Sequence, residues 1–511
     1  MNPPEPLLIR ADASERIGTG HVMRMIALAQ AYQDRGGAAT ILSIACPDAI
    51  VERVRREKIE FEKLAAEGLG SAIDARQTIA RGESMDAKWV VLDGYHFGLE
   101  YQRALRKAGF KVLAVDDYGH CETWAADAVL NQNIFAPELD YRSEIEGCRF
   151  LLGTPFALLR REFRMEAENR RAAGDREGSI KAYQPIRRLL VTLGGSDPDN
   201  ITGQLLAALN SLPELRLEIK TLVGGGNPHL EKLRQLAITS PHSIELLQNV
   251  VDMPSLYRWA DGVISAGGST CWEWMFYGLP AAVVCLADNQ DPVVDALSKR
   301  RLALDLSRNG SLEAAVLPVR LKDWLTRPHQ TSDAGSEPVV DAKGAERVVS
   351  LLDGSQVWLQ RAAITDARLW FRWANDPAVR ANGFSPDAIP WETHLEWFKS
   401  HQRSPDSRLW IGFNTEGQPL GYVRLHRRGG EWEIGVAVDP ATRGKNIGRK
   451  LVRLALREFK SEDQTKASGC AIVARIKPEN APSLKLFQNL GFMSDQKRTT
   501  SDCCVLTCKL A

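Results

Sequence analysis

The chain has 511 residues, a formal net charge of +1, and 25% charged against 44% hydrophobic residues. A chain of this length outgrows a single hydrophobic core and implies roughly three domains of about 150 residues each, and the composition excludes disordered and fibrous classes. A net charge this close to zero supplies no field to recruit nucleic acid or an anionic membrane, so neither partner is expected.

The opening MNPPEPLLIRADAS lacks a basic segment ahead of an apolar core, and no stretch approaches the roughly 18 apolar residues of a membrane span. A cytoplasmic location is expected. The cysteines, at 46, 121, 148, 271, 285, 470, 503, 504 and 508, show no CxxC spacing and read as reduced thiols. Neighbouring cysteines in a strand point oppositely, so the cluster at Cys503, Cys504 and Cys508 is not expected to hold a metal.

Short apolar runs alternate with helical patterns through the first 330 or so residues, the pattern of βα units that build parallel sheets. Leu7 to Ile9 opens the series, followed by Ala39 to Ile44, Trp89 to Leu92 and Lys111 to Val115. It restarts at Arg188 to Leu193 and continues near Leu217 to Val223, Ile244 to Leu247, Gly262 to Ser265 and Ala281 to Leu286. Two Rossmann-like domains are predicted, over 1–170 and 180–354, joined by a charged segment at 165–185. RPHQTSDAGSEP (327–338) is rich in turn formers, and a short helical pattern follows it. From 355 to 511 the order becomes α+β: a strand at VWLQRAAI, two helical stretches, then strands near 409–413, 419–425 and 431–438.

The segment LLIRADASERIGTGHVMRMIALAQAYQDRGG reads as strand, loop and helix, because Val22, Met25, Ile26, Ala29 and Tyr32 recur on one helical face and Gly36-Gly37 stops the run. His21 therefore falls in the opening turn. Unpaired amides there favour anions and disfavour an imidazolium, and a neutral imidazole can act as a base near pH 7. A histidine that merely caps the turn fits the spacing equally. Gly18 and Gly20 begin a dinucleotide fingerprint, but Met23 occupies its third glycine position and no acid closes the next strand, so NAD and FAD are disfavoured. The strand ends deliver Asp12, then Asp93, Tyr95 and His96, then Asp116 and Asp117, where open α/β sheets collect ligands. These residues could orient a sugar or support His21, or the aspartates could cap the helices that follow.

In the second half, RRLLVTLGGSDPDN places Gly194, Gly195, Ser196 and Asp197 after a buried strand, with Asn200 entering a helix. SAGGSTCWEWMFYGLP repeats the device with Ser269 and, one turn on, Glu273. Glycine loops leave backbone amides free for phosphate oxygens, and a nearby carboxylate suits ribose hydroxyls. Neither loop is a GxxxxGK[ST] element, so ATPase chemistry is not expected.

RADASERIGTGHVMR, VLDGYHF, LLRREF, VTLGGSDPDN, AGGSTCWEW and LADNQ together resemble the UDP-sugar hydrolases of pseudaminic acid biosynthesis over about residues 6–352. The resemblance implies a GT-B fold and metal-independent removal of UDP from UDP-2,4-diacetamido-2,4,6-trideoxy-β-L-altropyranose. It also implies catalysis by His21, UDP binding by the glycine loops and Glu273, and a cleft position for Asn289.

EWEIGVAVDPATRGKNIGRKLVRLALREF is a strand, a glycine-containing loop and an amphipathic helix. It resembles motif A of the GCN5-related N-acetyltransferases (GNAT), whose loop amides bind the pyrophosphate of CoA. The resemblance assigns acetyl-CoA to Val438, Arg443, Gly444, Lys445, Asn446, Ile447 and Gly448, with Asn446 standing where glycine is commonest. IKPENAPSLKLFQNLGF resembles the second signature and adds Asn480 and Ser483, whereas Phe487 replaces a tyrosine that often serves as general acid. Glu433, on the strand before the loop, is the candidate base, or a solvated strand carboxylate. By the same resemblance, Trp373, Asn375, Asp376, Arg380 and His394 shape an acceptor site.

The expected fold is thus α/β: a GT-B-like pair of Rossmann-type domains followed by an α+β GNAT domain. The expected function is hydrolysis of the UDP-sugar combined with N-acetylation of its UDP-4-amino precursor, with acetyl-CoA as cosubstrate and no metal. A GT-B glycosyltransferase fused to a protein N-acetyltransferase is the alternative, and a noncatalytic nucleotide-sugar sensor a third.

Overall fold

The computed structural model describes residues 4–509 except 15–16, 66–67, 174–184, 196, 308–311, 328–339, 363, 416–417 and 463–470. Ser196, most of RPHQTSDAGSEP and part of the 165–185 joining segment fall outside the described residues. The chain divides into two compact units, one formed mainly by residues up to Ala345 and the other mainly by residues from Glu346 onward.

The first unit contains two sheets. β1 (Leu7–Ala11), β2 (Ala39–Ser43), β3 (Glu60–Lys63), β4 (Trp89–Asp93), β5 (Lys111–Val115), β6 (Ala128–Asn131) and β7 (Arg149–Leu152) form a seven-stranded sheet in the order β3-β2-β1-β4-β5-β6-β7. Every pairing in it is parallel. β1 reads LLIRA with all five residues buried, as expected of a strand covered by helices on both faces. The second sheet, β8 (Arg188–Thr192), β9 (Glu218–Leu222), β10 (Ser243–Leu247), β11 (Gly262–Ala266), β12 (Ala281–Val284) and β13 (Leu304–Asp305), runs β10-β9-β8-β11-β12-β13, again parallel throughout. In each sheet the order reverses beside the first strand, between β1 and β4 and between β8 and β11. Such switch points open a crevice beyond the carboxyl ends of the strands. Two facing doubly wound lobes of this kind constitute a GT-B architecture.

The helix Gly20–Asp34 is buried on nearly every side, not along one stripe, with His21, Arg24 and Gln30 buried beside the apolar residues. Two charged or ionisable side chains are therefore carried into the interior on a single turn.

The second unit holds a mixed sheet: β14 (Val357–Arg361), β15 (Ser407–Asn414), β16 (Pro419–Arg428), β17 (Glu431–Val438), β18 (Ala471–Ile476), β19 (Met493–Ser494) and β20 (Cys504–Lys509), in the order β14-β15-β16-β17-β18-β20-β19. β14 to β17 are antiparallel neighbours. β17 and β18 are parallel and pair at only two rungs, Trp432 with Ile472 and Glu433 with Val473. Beyond Glu433 the two strands are unzipped. Leu451, Leu454, Ala455 and Phe459, on the helix Ile447–Glu462, are buried in the core of this unit with Val423, Leu425 and Ile434.

Candidate active sites

At the carboxyl end of β4, Asp93 meets the opening turn of the helix Gly20–Asp34. His21 Nδ1 lies 2.6 Å from Asp93 Oδ1, and Arg24, one turn along, donates from Nε and Nη2 to the same carboxylate at 2.7 and 2.6 Å. Arg24 also donates to both oxygens of Asp117, at 2.6 and 2.9 Å. A carboxylate accepts only, so the 2.6 Å contact favours a proton on His21 Nδ1, although Arg24 Nη2 also stands 3.1 Å from that nitrogen. Burial alone would push the Asp93 carboxyl up, but Arg24 and His21 outweigh it and hold it below the usual range. Asp117 is held low in the same way, burial being outweighed mainly by Arg24. Tyr95 donates to Asp117 Oδ2 at 2.7 Å and sets its ring edge-on to His21, with centroids 5.2 Å apart.

Both strand-end aspartates next to this turn are engaged within the lobe. Asp93 is fully buried, and both its oxygens are engaged by His21 and Arg24. Asp12 is likewise buried: Oδ2 accepts from Arg10 at 2.6 Å, and Oδ1 takes the Ser43 hydroxyl and the Ile44 and Ala45 amides. It ties β1 to the end of β2. His96 Nε2 stands 3.3 Å from the same Asp12, and Asp116 fastens its own turn through the Gly119 amide and His120 Nδ1.

Across the crevice, the glycine loops of the second lobe approach this centre. A methyl group added at Gly195 would lie 3.7 Å from Thr19 Oγ1, and one at Gly20 would lie 3.9 Å from Ser269 Oγ. The loop Gly18–Gly20 therefore faces both the Gly194–Gly195 turn and Ser269. Gly194 has φ +96, which glycine supplies without strain. Asn289 Nδ2 donates to Tyr95 Oη at 3.1 Å, linking the second lobe to the His21 centre.

Asp197 and Asn200 stand at the start of the helix Ile201–Asn210, Asn200 entering it as expected. Asp197 accepts from the Ile201 and Thr202 amides at 2.7 and 2.9 Å, so it caps the helix Ile201–Asn210 and occupies donors that a phosphate would have used. Asn200 takes a left-handed φ of +54 at the helix start, and its Oδ1 is buried without a partner. Glu273 Oε1 is 3.1 Å from Arg160 Nη2, and Oε2 accepts from Tyr257 at 3.1 Å. Burial pushes the Glu273 carboxyl up, and Arg160 and Tyr257 only partly oppose it.

In the second unit, the turn between β17 and the helix Ile447–Glu462 contains Gly444 at φ +77 and Asn446 at φ +61, both left-handed. It delivers the chain to a helix start whose first amides, including those of Ile447 and Gly448, have no partner within the helix. Gly448 is required by packing: a Cβ there would meet Leu486 at 2.9 Å and Val438 at 3.3 Å. Arg443 donates from Nε to the Val438 carbonyl at 3.2 Å and from Nη2 to Asp376 at 2.6 Å, while Lys445 Nζ reaches the Ala441 carbonyl at 3.4 Å. Asn480 caps its helix by accepting from the Ser483 amide at 3.2 Å. Glu433 stands at the last paired rung of β17 and β18, with Oε2 3.3 Å from Arg475 Nε. Phe487 is buried against Phe492, their rings 5.0 Å apart, and brings no hydroxyl.

Three of the expected acceptor-site residues have hydrogen-bond partners within the second unit. Trp373 is buried and donates to Asp439 at 2.7 Å, Asn375 exchanges two hydrogen bonds with the Ile389 backbone, and a ring nitrogen of the buried His394 lies 3.0 Å from the Ala367 carbonyl. Among the described residues, no group of three or more His, Cys, Asp or Glu side chains is arranged to hold a metal ion. No described helix is long and apolar enough to cross a membrane.

Arg24 received no role from the sequence, although its i, i+3 spacing from His21 places both on one helical face. Arg475 carried no local signal, since it meets Glu433 from a distant part of the chain.

Residues 189–343 match the glycosyltransferase family 28 C-terminal domain and residues 356–493 the acetyltransferase (GNAT) domain. The chain is accordingly an enzyme of two modules: a GT-B nucleotide-sugar module and a GNAT acetyltransferase. An uncharacterized protein of Methanocaldococcus jannaschii is 22% identical over 506 residues, covering 96% of this chain and 97% of its own. The UDP-2,4-diacetamido-2,4,6-trideoxy-beta-L-altropyranose hydrolase of Campylobacter jejuni is 24% identical over 299 residues, 58% of this chain and 96% of its own. The crystal structure of MurG from Acinetobacter baumannii is 17% identical, spans 69% of this chain and 100% of its own, and gives a TM-score of 0.45.

Proposed function

We propose that the first module hydrolyses a UDP-linked acetamido-deoxy sugar, specifically UDP-2,4-diacetamido-2,4,6-trideoxy-β-L-altropyranose, to UDP and the free sugar. The second module acts before it, acetylating the 4-amino group of the precursor UDP-sugar with acetyl-CoA. The observation that carries the hydrolytic reading is His21 held by Asp93, with Nε2 left free at a crevice faced by two glycine loops. Support also comes from the similarity to the Campylobacter jejuni hydrolase over most of that protein's length.

In this reading His21 Nε2 takes a proton from water as its oxygen bonds to the anomeric carbon. The bond between that carbon and the phosphate oxygen breaks, and UDP departs with the electron pair. Amides of the turns at Gly194–Gly195 and Ser269 receive the negative charge. Glu273 binds ribose in this reading, exchanging Arg160 or Tyr257 for a hydroxyl. Asn289 and Tyr95 face the sugar from opposite lobes.

For acetyl transfer, the turn Arg443–Gly448 holds the CoA pyrophosphate and the unzipped stretch of β17 and β18 takes its extended arm. The amine attacks the thioester carbonyl, a C–N bond forms, the C–S bond breaks, and Glu433 accepts the amine proton directly or through water. With Phe487 where a hydroxyl would serve, the departing thiolate takes its proton from solvent.

Incubation of the protein with the UDP-4-amino-4,6-dideoxy sugar and acetyl-CoA, followed by mass spectrometry, tests both steps. Acetylated free hexose plus stoichiometric UDP is the expected result. Release of UDP only when another sugar acceptor is added would favour a glycosyltransferase instead.

A further inference from the structure

The antiparallel register of β16 and β17 sets Tyr422 opposite Ala437, Arg424 opposite Gly435 and His426 opposite Glu433. Side chains alternate between the two faces of a strand, so Tyr422, Arg424, His426 and Glu433 share one face of the sheet. Tyr422 and Ala437 pack there with Trp370, Trp373 and Phe398 from the helices Ala367–Ala374 and Trp391–Arg403. The helix Ile447–Glu462 covers the other face, against Leu425 and Ile434. Directly opposed residues of such a pair stand about 4.5–5.5 Å apart at Cβ, which makes His426 and Glu433 near neighbours.

The imidazole is uncommitted and the carboxylate is not. Among the described residues, His426 Nδ1 is buried with no hydrogen-bond partner. The ring lies edge-on to that of His401, with centroids 6.1 Å apart. Its charged and titratable neighbours are Arg424 and Arg428 on its own strand, Glu433 on β17 and His401 on the helix Trp391–Arg403. On β15 it faces Ser407, which does not titrate. Burial pushes the pKa of His426 down, Arg424, His401 and Arg428 add to that, and Glu433 opposes it. The ring is therefore neutral at pH 7 and carries a basic lone pair. Glu433 Oε2 lies 3.3 Å from Arg475 Nε, and a proton resting on that carboxylate forfeits the ion pair.

We propose that His426 is the final proton acceptor in acetyl transfer, receiving from Glu433 the proton that the acceptor amine gives up. This rests on the reading of Glu433 as the first group to take that proton. As the amine nitrogen bonds to the thioester carbon, its proton passes to Glu433 and then, directly or through one water, to the imidazole lone pair. The C–S bond breaks and its electron pair leaves on the thiolate. Glu433 regains its pair with Arg475, and the imidazolium stands beside a carboxylate until it gives its proton to solvent. His426 thus acts through Glu433 and keeps it able to accept at each turnover.

Two measurements on the full chain test this. In the first, transfer from acetyl-CoA to the UDP-4-amino-4,6-dideoxy sugar is followed by thiol release against pH. Wild-type kcat should fall at low pH through an ionisation below the ordinary histidine value of about 6.5. His426→Gln should lose about a hundredfold in kcat at pH 7, the lower end of general acid–base catalysis, with KM for acetyl-CoA within about twofold and the acidic limb gone. Added imidazole should restore His426→Ala in proportion to its neutral fraction. Wild-type kcat in His426→Gln, or a loss that keeps the limb and that imidazole does not restore, overturns the proposal. Full turnover in Glu433→Gln would defeat the Glu433 reading and this relay together, whereas full turnover in His426→Gln alone defeats only the relay. In the second, NMR of labelled histidine rings follows the His426 signal, identified by its loss in His426→Gln. Its midpoint should drop in Glu433→Gln, and an unmoved midpoint overturns the proposal. That titration needs no acceptor, so it still decides the matter if wild type leaves this sugar unacetylated, a result that would defeat the acceptor reading.

Discussion

His21 Nδ1 and Asp93 Oδ1 stand 2.6 Å apart at a buried strand end, and Arg24 grips the same carboxylate with two further hydrogen bonds. Asp93 fixes which ring nitrogen is free. Replacing it by Asn offers an amide that can donate to Nδ1 and so favours the opposite tautomer. Asp93→Asn and His21→Asn are each expected to lower kcat for UDP release by about 10²–10⁴, the range of general-base catalysis, with little change in UDP affinity. Wild-type turnover in either variant would remove His21 from the mechanism.

Gly224 is the position of the second lobe that least tolerates a side chain, because a Cβ there would lie 2.0 Å from the Gly195 carbonyl oxygen. Gly224→Ala must push the Gly194–Gly195 turn out of place. UDP binding measured by calorimetry should weaken by about tenfold or more, against a loss of only a few tenths of a kcal/mol typical of remote surface changes.

Asn446 occupies a left-handed conformation, with φ +61. Glycine adopts that region freely, Asn tolerates it, and a β-branched residue is a genuine outlier there. Asn446→Gly should keep CoA affinity within about twofold, and Asn446→Val should weaken it by about tenfold, a penalty of 1–2 kcal/mol. Equal affinities for the two variants would show that the turn does not need its present backbone.

Asn289 donates one hydrogen bond to Tyr95 from the opposite lobe. Loss of a single neutral bond is worth about 0.5–1.5 kcal/mol, so Asn289→Ala should raise KM by up to about tenfold for the UDP-sugar. The thermal midpoint should hardly move, since the residue is exposed. Steady-state kinetics with a melting curve checks both.

Burial would lower the pKa of His120, but its contact with Asp116 prevails and raises it to about 9. A raised histidine stabilises the fold fully below its ordinary value of about 6.5 and loses that contribution as pH climbs through 9. The difference in thermal midpoint between wild type and His120→Gln should therefore be largest near pH 6 and shrink by pH 9.5. A constant difference would mean that the ion pair contributes nothing.

The central strands were legible because a buried parallel strand is a continuous apolar run: Leu7–Ala11, Trp89–Asp93, Arg188–Thr192 and Gly262–Ala266 all read this way. β3 escaped notice because EFEK is an edge strand with mostly exposed charge, and β13 because two residues carry no period. His21 and the glycine loops could be found since each depends on residues adjacent in sequence. Asp12, Asp93 and Asp197 were placed correctly at strand ends, but where each carboxylate pointed depended on Arg10, Arg24 and the amides of Ile201 and Thr202. Such partners are set by tertiary structure.

The two-rung seam between β17 and β18 leaves Ile434–Ala437 without a pairing partner on β18. An occupant with amides of its own would be read there as a missing strand is read, by backbone register and not by side-chain identity. The sheet thereby holds a slot whose recognition survives sequence drift along β17, provided the strand keeps its path.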